Sequence, residues 1–137
     1  MTDSERTVYE LVGGDPIFRA LVDRFYTYVE HDPELRPMFP PDLAPGREGQ
    51  FLFLTQFFGG PQRYIEQRGH PRLRMRHFPF AINKRAQELW LSHMLRALDE
   101  LGVEEPSYSA MRDYFIRGSE FLINRIEITP SEDSPHE

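Results

Sequence analysis

Hydrophobic residues recur at intervals of three and four along most of this chain, which is the spacing of one buried face of an α-helix. No segment shows the alternating pattern of a strand next to a hairpin turn. The pattern therefore predicts an all-α domain with four main helices, separated by segments rich in proline and glycine.

Proline and glycine delimit the first two main helices. Asp15 is expected to cap the first, with Pro16 at the first helical position. Its apolar face comprises Phe18, Leu21, Val22, Phe25 and Val29. Prolines then predict a connecting segment over residues 31–41. The second helix is predicted from about Pro45 to Phe58, where the pair Gly59-Gly60 stops it.

A short helix and two long ones follow. The short helix is predicted after Pro61 and carries Tyr64. Asn83 is expected to cap the third main helix, which Gly102 ends. Its apolar stripe comprises Ala86, Leu89, Trp90, His93, Met94, Ala97 and Leu101. The last main helix is predicted to open near Ser107.

Length and composition fit one domain with one core. The chain has 137 residues, of which 39% are hydrophobic and 13% aromatic. We expect a folded domain over 1–127 and a disordered acidic tail over 128–137. The net charge of −6 argues against a nucleic-acid partner. No signal peptide or membrane-spanning run is evident, so a cytoplasmic protein without a membrane partner is predicted.

The segment over residues 69–80 carries the strongest chemical signal. Two of the four residues before His77 are arginines, Arg74 and Arg76, and Phe78-Pro79-Phe80 follows it. A neutral imidazole can bind iron while a neighbouring guanidinium meets an acidic group of the same cofactor. The aromatic cluster would be costly to leave in water. The alternative is a surface histidine in a basic loop.

The chain resembles the group II truncated haemoglobins from about Val8 to Asn124. The residues that carry this resemblance are Arg24-Phe25-Tyr26, Gly59-Gly60-Pro61, Tyr64, Glu66 to Pro71, Leu73 to His77, Pro79-Phe80 and Trp90. The resemblance implies a two-over-two helical sandwich enclosing haem b. With no Cys in the chain, thioether links to the haem are excluded, so it would be held noncovalently.

The resemblance also implies roles on the cofactor for several residues. His77 would be the proximal iron ligand, and Arg76 and Tyr64 would meet a haem propionate. The other residues expected to contact the cofactor are Phe39, Gly46 and Phe80. Many relatives have a tyrosine at the position of Phe39, so a donor hydroxyl is missing there. Gly46 lies at the gate position, where its lack of a side chain would leave a more open path to the iron.

Three residues are expected on the distal side, where a ligand would bind. Oxygen gains negative charge on ferrous iron, and one good donor contributes about 1.5–3 kcal/mol, or one to two decades of affinity. By resemblance, Tyr26 supplies an O–H and Trp90 an indole N–H. Gln50, one turn after Gly46, is a third candidate. Without the resemblance, the two aromatics would be read as core residues with polar tips.

The leading prediction is therefore a haem b globin that binds oxygen, carbon monoxide and nitric oxide. Nitric oxide oxidation or peroxide reduction could use the same polar pocket, with a reductase whose identity is unknown. A monomer or homodimer is expected. One alternative is a four-helix enzyme with zinc or nickel bound by His70, His77 and His93. Another is a helical interaction module without a cofactor.

Overall fold

The structure is a computed structural model that describes residues 6–68 and 83–128. These two ranges are helical and contain no strand, which confirms the predicted all-α class. The elements are α1 (Val8–Leu11), α2 (Asp15–Glu30), a 3-10 helix (Arg36–Met38), α3 (Ala44–Phe57), α4 (Arg63–Arg68), α5 (Lys84–Glu100) and α6 (Ser107–Ile128).

Two pairs of helices form the body of the domain. Helix α2 packs against α3, helix α5 packs against α6, and the two pairs meet where α2 contacts α5. The short helices lie at the periphery, α4 against α3 and α1 against α6. Large side chains that are fully buried between the pairs are Phe18, Phe25, Leu52, Met94, Met111 and Phe115. The apolar faces predicted for the main helices thus meet in one core.

Helix α1 was not predicted, although the sequence carries a signal for it. Thr7 and Glu10 form a capping box, in which each side chain accepts a hydrogen bond from the other residue's backbone N–H. The backbone N–H of Tyr9 also donates to the carbonyl of Phe58 at 2.9 Å, which ties α1 to the end of α3. Gly59 lies beside this contact with a φ of +99°, and a Cβ there would stand 2.4 Å from Thr7. Only glycine fits at this turn.

The start of α2 differs from the prediction. Gly14, with φ of 85°, is the N-cap residue, and Asp15 is already inside the helix. The Asp15 carboxylate makes no capping hydrogen bond, because it accepts from Arg63 of α4 and from Tyr9 of α1 instead. The prediction of Asp15 as the cap was therefore wrong, since partners distant in sequence take its oxygens.

The other predicted helix limits are close to those observed. Helix α3 begins one residue before Pro45 and ends one before Phe58. Asn83 caps α5, and its Oδ1 accepts from the N–H of Ala86 at 2.8 Å. In the part of the chain that the structure describes, no helix has the length and apolar character needed to cross a membrane.

Candidate functional site

Several predicted site residues lie outside the described residues. His77, Arg76, Phe80 and also His70 belong to the segment between α4 and α5 that the structure does not describe. The described part of the site is formed by residues of α2, α3, α4, α5 and the segment after the 3-10 helix. It contains Tyr26, Phe39, Gly46, Gln50, Tyr64 and Trp90.

Tyr26 points inward from α2 and is only 5% exposed. Its ring packs edge-on against Phe25 at 5.2 Å and against Phe39 at 6.0 Å between centroids. Burial raises the pKa of Tyr26 to about 12, with the Arg47 guanidinium opposing the shift. The hydroxyl therefore stays protonated at neutral pH. Among the described residues it has no hydrogen-bond partner, so its proton is available to a ligand.

Trp90 of α5 also packs against Phe25. Its ring centroid is 5.4 Å from that of Phe25 and 6.3 Å from that of Phe115, at interplanar angles of 62° and 63°. Phe25 therefore contacts both Tyr26 and Trp90, and the two residues are held by one shared aromatic ring. Trp90 is half-buried. This arrangement brings together two side chains that the sequence predicted as ligand donors.

Gln50 of α3 has a buried amide oxygen to which no residue in the described ranges donates a hydrogen bond. An unpaired buried acceptor costs about 1–3 kcal/mol, so such groups are uncommon unless another molecule completes them. Arg47, on the preceding turn, has a buried Nε that lies 3.9 Å from Asp23 Oδ1, beyond hydrogen-bonding distance. Helix α3 thus brings unsatisfied polar groups to the region of Tyr26.

The space beside Gly46 is occupied by Tyr26. Gly46 is in the first turn of α3, and a Cβ atom on it would stand 2.9 Å from the Tyr26 hydroxyl oxygen. The next atom, Cζ of the same ring, would be 3.8 Å away. The two helices therefore approach closely at the tyrosine hydroxyl.

Helix α4, which carries Tyr64, is held by an ion pair between Arg63 and Asp15 that the sequence did not reveal. Tyr64 is 4% exposed and packs edge-on against Phe53 at 5.5 Å. Its neighbour Arg63 donates two hydrogen bonds to Asp15, at 2.8 and 3.1 Å. The hydroxyl of Tyr9 donates to the same carboxylate at 2.7 Å. These contacts join α4 to α1 and α2 near the site.

The Asp15 network shifts the pKa values of its members. The hydrogen bonds from Arg63, more than any other cause, hold the pKa of Asp15 below its ordinary value although partial burial opposes this. The Asp15 carboxylate raises the pKa of the Tyr9 hydroxyl that donates to it. Both shifts favour the state in which Asp15 is charged and Tyr9 keeps the proton that it donates.

His93 contacts the carboxylate of Asp32 at a partly buried position. Its Nε2 lies 2.7 Å from Asp32 Oδ2, and its ring stacks on Tyr28 at 6.1 Å. In the described ranges, no group of three His, Asp or Glu side chains could hold a metal ion. The described residues therefore give no support to a metal site that includes His93.

The described residues fit a haem pocket. Tyr26 and Trp90 both contact Phe25, and Tyr26 also contacts Phe39. Within residues 6–68 and 83–128, the buried amide oxygen of Gln50 has no hydrogen-bond partner. An apolar wall with a few convergent polar groups is the usual form of a cofactor pocket that also receives a small ligand. The residues that the structure describes supply no partner for the buried Gln50 oxygen, which fits a pocket that receives a further group.

Comparisons with known proteins point to the same cofactor. A family model described as bacterial-like globin matches residues 7–118. The chain is 42% identical over 129 residues to the group 2 truncated hemoglobin YjbI of Bacillus subtilis (strain 168), covering 94% of this chain and 89% of that protein.

Two solved structures extend the comparison. A hemoglobin from the thermophilic phototrophic bacterium Chloroflexus aurantiacus is similar at a TM-score of 0.84 and 56% identity, over 88% of this chain and 99% of that one. The group II truncated hemoglobin from Bacillus anthracis is similar at a TM-score of 0.81 and 40% identity, over 87% of this chain and 92% of that one. The chain therefore belongs to the bacterial-like globins and, within them, to the group II truncated haemoglobins, which have the two-over-two fold and bind haem b.

Proposed function

We propose that this globin binds oxygen in a polar distal pocket, in which Tyr26, Trp90 and Gln50 stabilise the ligand, while His77 is the proximal ligand of the iron. Bound haem supplies the iron at which oxygen, carbon monoxide and nitric oxide bind. The observation that carries the proposal is the shared contact of Tyr26 and Trp90 with Phe25, together with a buried Gln50 amide oxygen that has no hydrogen-bond partner among the described residues.

Each donor stabilises bound oxygen because its hydrogen bond meets the negative charge that oxygen gains on the iron. Tyr26 is a neutral O–H donor at pH 7, as any tyrosine is, and burial raises its pKa further, to about 12. Its ring is fixed by two edge contacts. Such a donor loses little entropy when the ligand arrives. A hydrogen bond to a charged acceptor contributes about 1.5–3 kcal/mol, which is roughly ten- to a hundredfold in dissociation rate.

The proximal side of the proposal follows from the family. His77 is proposed as the axial ligand, Arg76 and Tyr64 as partners of a propionate, and Phe80 as an apolar contact of the porphyrin. Tyr64 is buried, as a residue in such a position would be. Phe39 and Gly46 lie next to Tyr26 and complete the proposed pocket on the distal side.

The same donors suit redox chemistry. A group that stabilises negative charge on bound oxygen also stabilises the charge that develops during nitric oxide oxidation or peroxide reduction. We propose these as reactions of the same pocket, supported by an external reductase. A cytoplasmic location and a monomeric or homodimeric state are part of the same proposal.

Haem retention tests the proximal assignment. The purified protein is expected to be red with a strong Soret band, and to change its spectrum with oxygen, carbon monoxide and nitric oxide. His77→Ala should lose stoichiometric haem. His31→Ala is the matched control, since His31 is exposed and bonds only the carbonyl of Thr27 at 2.8 Å. Full haem retention by His77→Ala would show that another residue holds the iron.

A further inference from the structure

Gly46 and Tyr26 make a contact that a side chain would prevent. A Cβ on Gly46 would stand 2.9 Å from the Tyr26 hydroxyl oxygen, which is closer than van der Waals contact allows. The Tyr26 Cζ, at 3.8 Å, is at an ordinary distance. The conflict is thus with the hydroxyl oxygen alone. The backbone of Gly46 has no positive φ, so alanine could adopt it without strain.

The Tyr26 ring has little freedom to move aside. Phe25 and Phe39 meet it edge-on at interplanar angles of 89° and 83°. The Arg47 guanidinium lies 5.6 Å from the ring centroid, on the same helix as Gly46. Because neighbours contact the ring on several sides, a methyl group at position 46 could displace the Tyr26 hydroxyl only by straining these contacts.

We propose that Gly46 is a positioning residue, whose missing side chain sets the place of the Tyr26 hydroxyl and with it the strength of the hydrogen bond to the ligand. This inference rests on the proposed function of Tyr26. It differs from the role of a gate, because the space that Gly46 leaves is filled by the hydroxyl. A gate residue controls how fast a ligand enters, whereas a positioning residue controls how strongly the ligand is held.

A double-mutant cycle separates the two roles. The chains are the parent, Gly46→Ala, Tyr26→Phe and the double variant, all loaded with haem. In the parent background, Gly46→Ala should raise the oxygen dissociation rate by about threefold or more, as expected for a weakened hydrogen bond to a charged acceptor. It should also shift the stretching frequency of bound carbon monoxide. In the Tyr26→Phe background, where no hydroxyl remains, Gly46→Ala should change neither quantity.

The thermal stability of the ferric haem-loaded protein gives a readout independent of ligand binding. Alanine favours a helix over glycine, so Gly46→Ala should raise the melting temperature in the Tyr26→Phe background. With Tyr26 present, the clash should cancel or reverse this gain. Gly118→Ala in α6 is the matched control, because its Cβ would meet nothing closer than 3.9 Å and it should act alike in both backgrounds.

The outcomes distinguish a failure of the proposed function of Tyr26 from a failure of the positioning role of Gly46. If Tyr26→Phe itself leaves the oxygen dissociation rate unchanged, the proposed function of Tyr26 is wrong, and the positioning role is lost with it. If Tyr26→Phe raises that rate but Gly46→Ala acts equally in both backgrounds, the positioning role alone is overturned. A slower association rate that is equal in both backgrounds would identify Gly46 as a gate instead.

Discussion

His93 donates a hydrogen bond of 2.7 Å from its Nε2 to Oδ2 of Asp32, which joins α5 to the segment that follows α2. The other oxygen of Asp32 accepts from the backbone N–H groups of Glu34 and Leu35, at 2.8 and 3.1 Å. Asp32 thus orders the start of the connection that leads to Phe39, and His93 fixes it one turn after Trp90. This one carboxylate therefore links the helix that carries Trp90 to the connection that leads to Phe39.

Replacing Asp32 should therefore destabilise the protein. The side chains of His93 and Asp32 are 18% and 10% exposed, so the pair is mostly buried. Asp32→Ala removes three hydrogen bonds and leaves an imidazole without its partner, for an expected loss of about 2–3 kcal/mol in the free energy of unfolding. Urea denaturation of the haem-loaded protein measures it. Glu34→Ala, which removes only an exposed ion pair with Arg85, should change little.

The pH dependence of stability should reveal the same carboxylate. Burial alone would raise the pKa of Asp32, but the hydrogen bonds from His93, Glu34 and Leu35 outweigh it and lower the pKa below the ordinary value of 3.8. A lowered folded pKa gives stability that is present above the unfolded pKa and lost as the pH falls through the folded pKa.

The stability difference between the parent and Asp32→Asn should accordingly be constant above about pH 5 and shrink below the ordinary pKa of 3.8. Denaturant titrations between pH 3 and 7 measure this difference, and the matched comparison is Glu30→Gln on the exposed end of α2. A difference that grew as the pH fell below 3.8 would contradict the assignment of Asp32 as the charged partner.

Helix limits could be predicted because they depend on neighbouring residues. Asn83 caps α5 with its own side chain, and Gly59-Gly60 follows the end of α3, as the sequence indicated. Asp15 failed as a predicted cap because Arg63, 48 residues away, takes its oxygens. Sequence periodicity carries no information about which distant cation will meet a carboxylate.

Much of the site could be predicted only through the family resemblance. The helical spacing indicates that Tyr26 and Trp90 face the core, but not that Phe25 contacts both of them. The unpaired amide oxygen of Gln50 and the close approach of Gly46 to Tyr26 arise where α2 and α3 pack together. Such contacts depend on tertiary packing, which a local pattern does not specify.

Tyr26 and Trp90 should each slow the dissociation of oxygen from the haem. Tyr26→Phe removes a hydroxyl and keeps the ring contacts with Phe25 and Phe39, so the oxygen dissociation rate should rise about ten- to a hundredfold. Trp90→Phe should also raise this rate. Stopped-flow displacement of oxygen by carbon monoxide measures both. Tyr28→Phe is the control, since its hydroxyl bonds Glu100 outside the pocket. Unchanged rates in both variants would refute the distal assignment.

The ion pair between Arg63 and Asp15 should hold α4 in place. Arg63→Lys keeps the charge but loses the paired geometry of the guanidinium. Because the two side chains are 28% and 41% exposed, solvent screens the pair, and an unfolding loss of about 1 kcal/mol or less is expected. Haem should dissociate faster, since Tyr64 is the next residue on α4.

Transfer of haem to an acceptor globin measures that rate. Arg24→Lys, which affects a similar exposed contact with Glu100 at 3.1 Å, should leave haem dissociation unchanged. If Arg63→Lys lowered stability without changing haem dissociation, the ion pair would support the fold but not the pocket.

Gln50 should trade stability of the haem-free protein for ligand binding. Its buried amide oxygen has no partner among the described residues, so Gln50→Leu should stabilise the haem-free protein by about 1 kcal/mol. In the haem-loaded protein, the same change should remove a contact to the ligand and raise the oxygen dissociation rate. Gln56→Leu, on the same helix, should act oppositely on stability. The Gln56 side-chain oxygen accepts from the N–H of Ile65 at 3.0 Å, and its loss leaves that donor unpaired. Urea denaturation of both variants, with and without haem, measures the contrast. Destabilisation of the haem-free protein by Gln50→Leu would mean that the amide already has a partner in the protein.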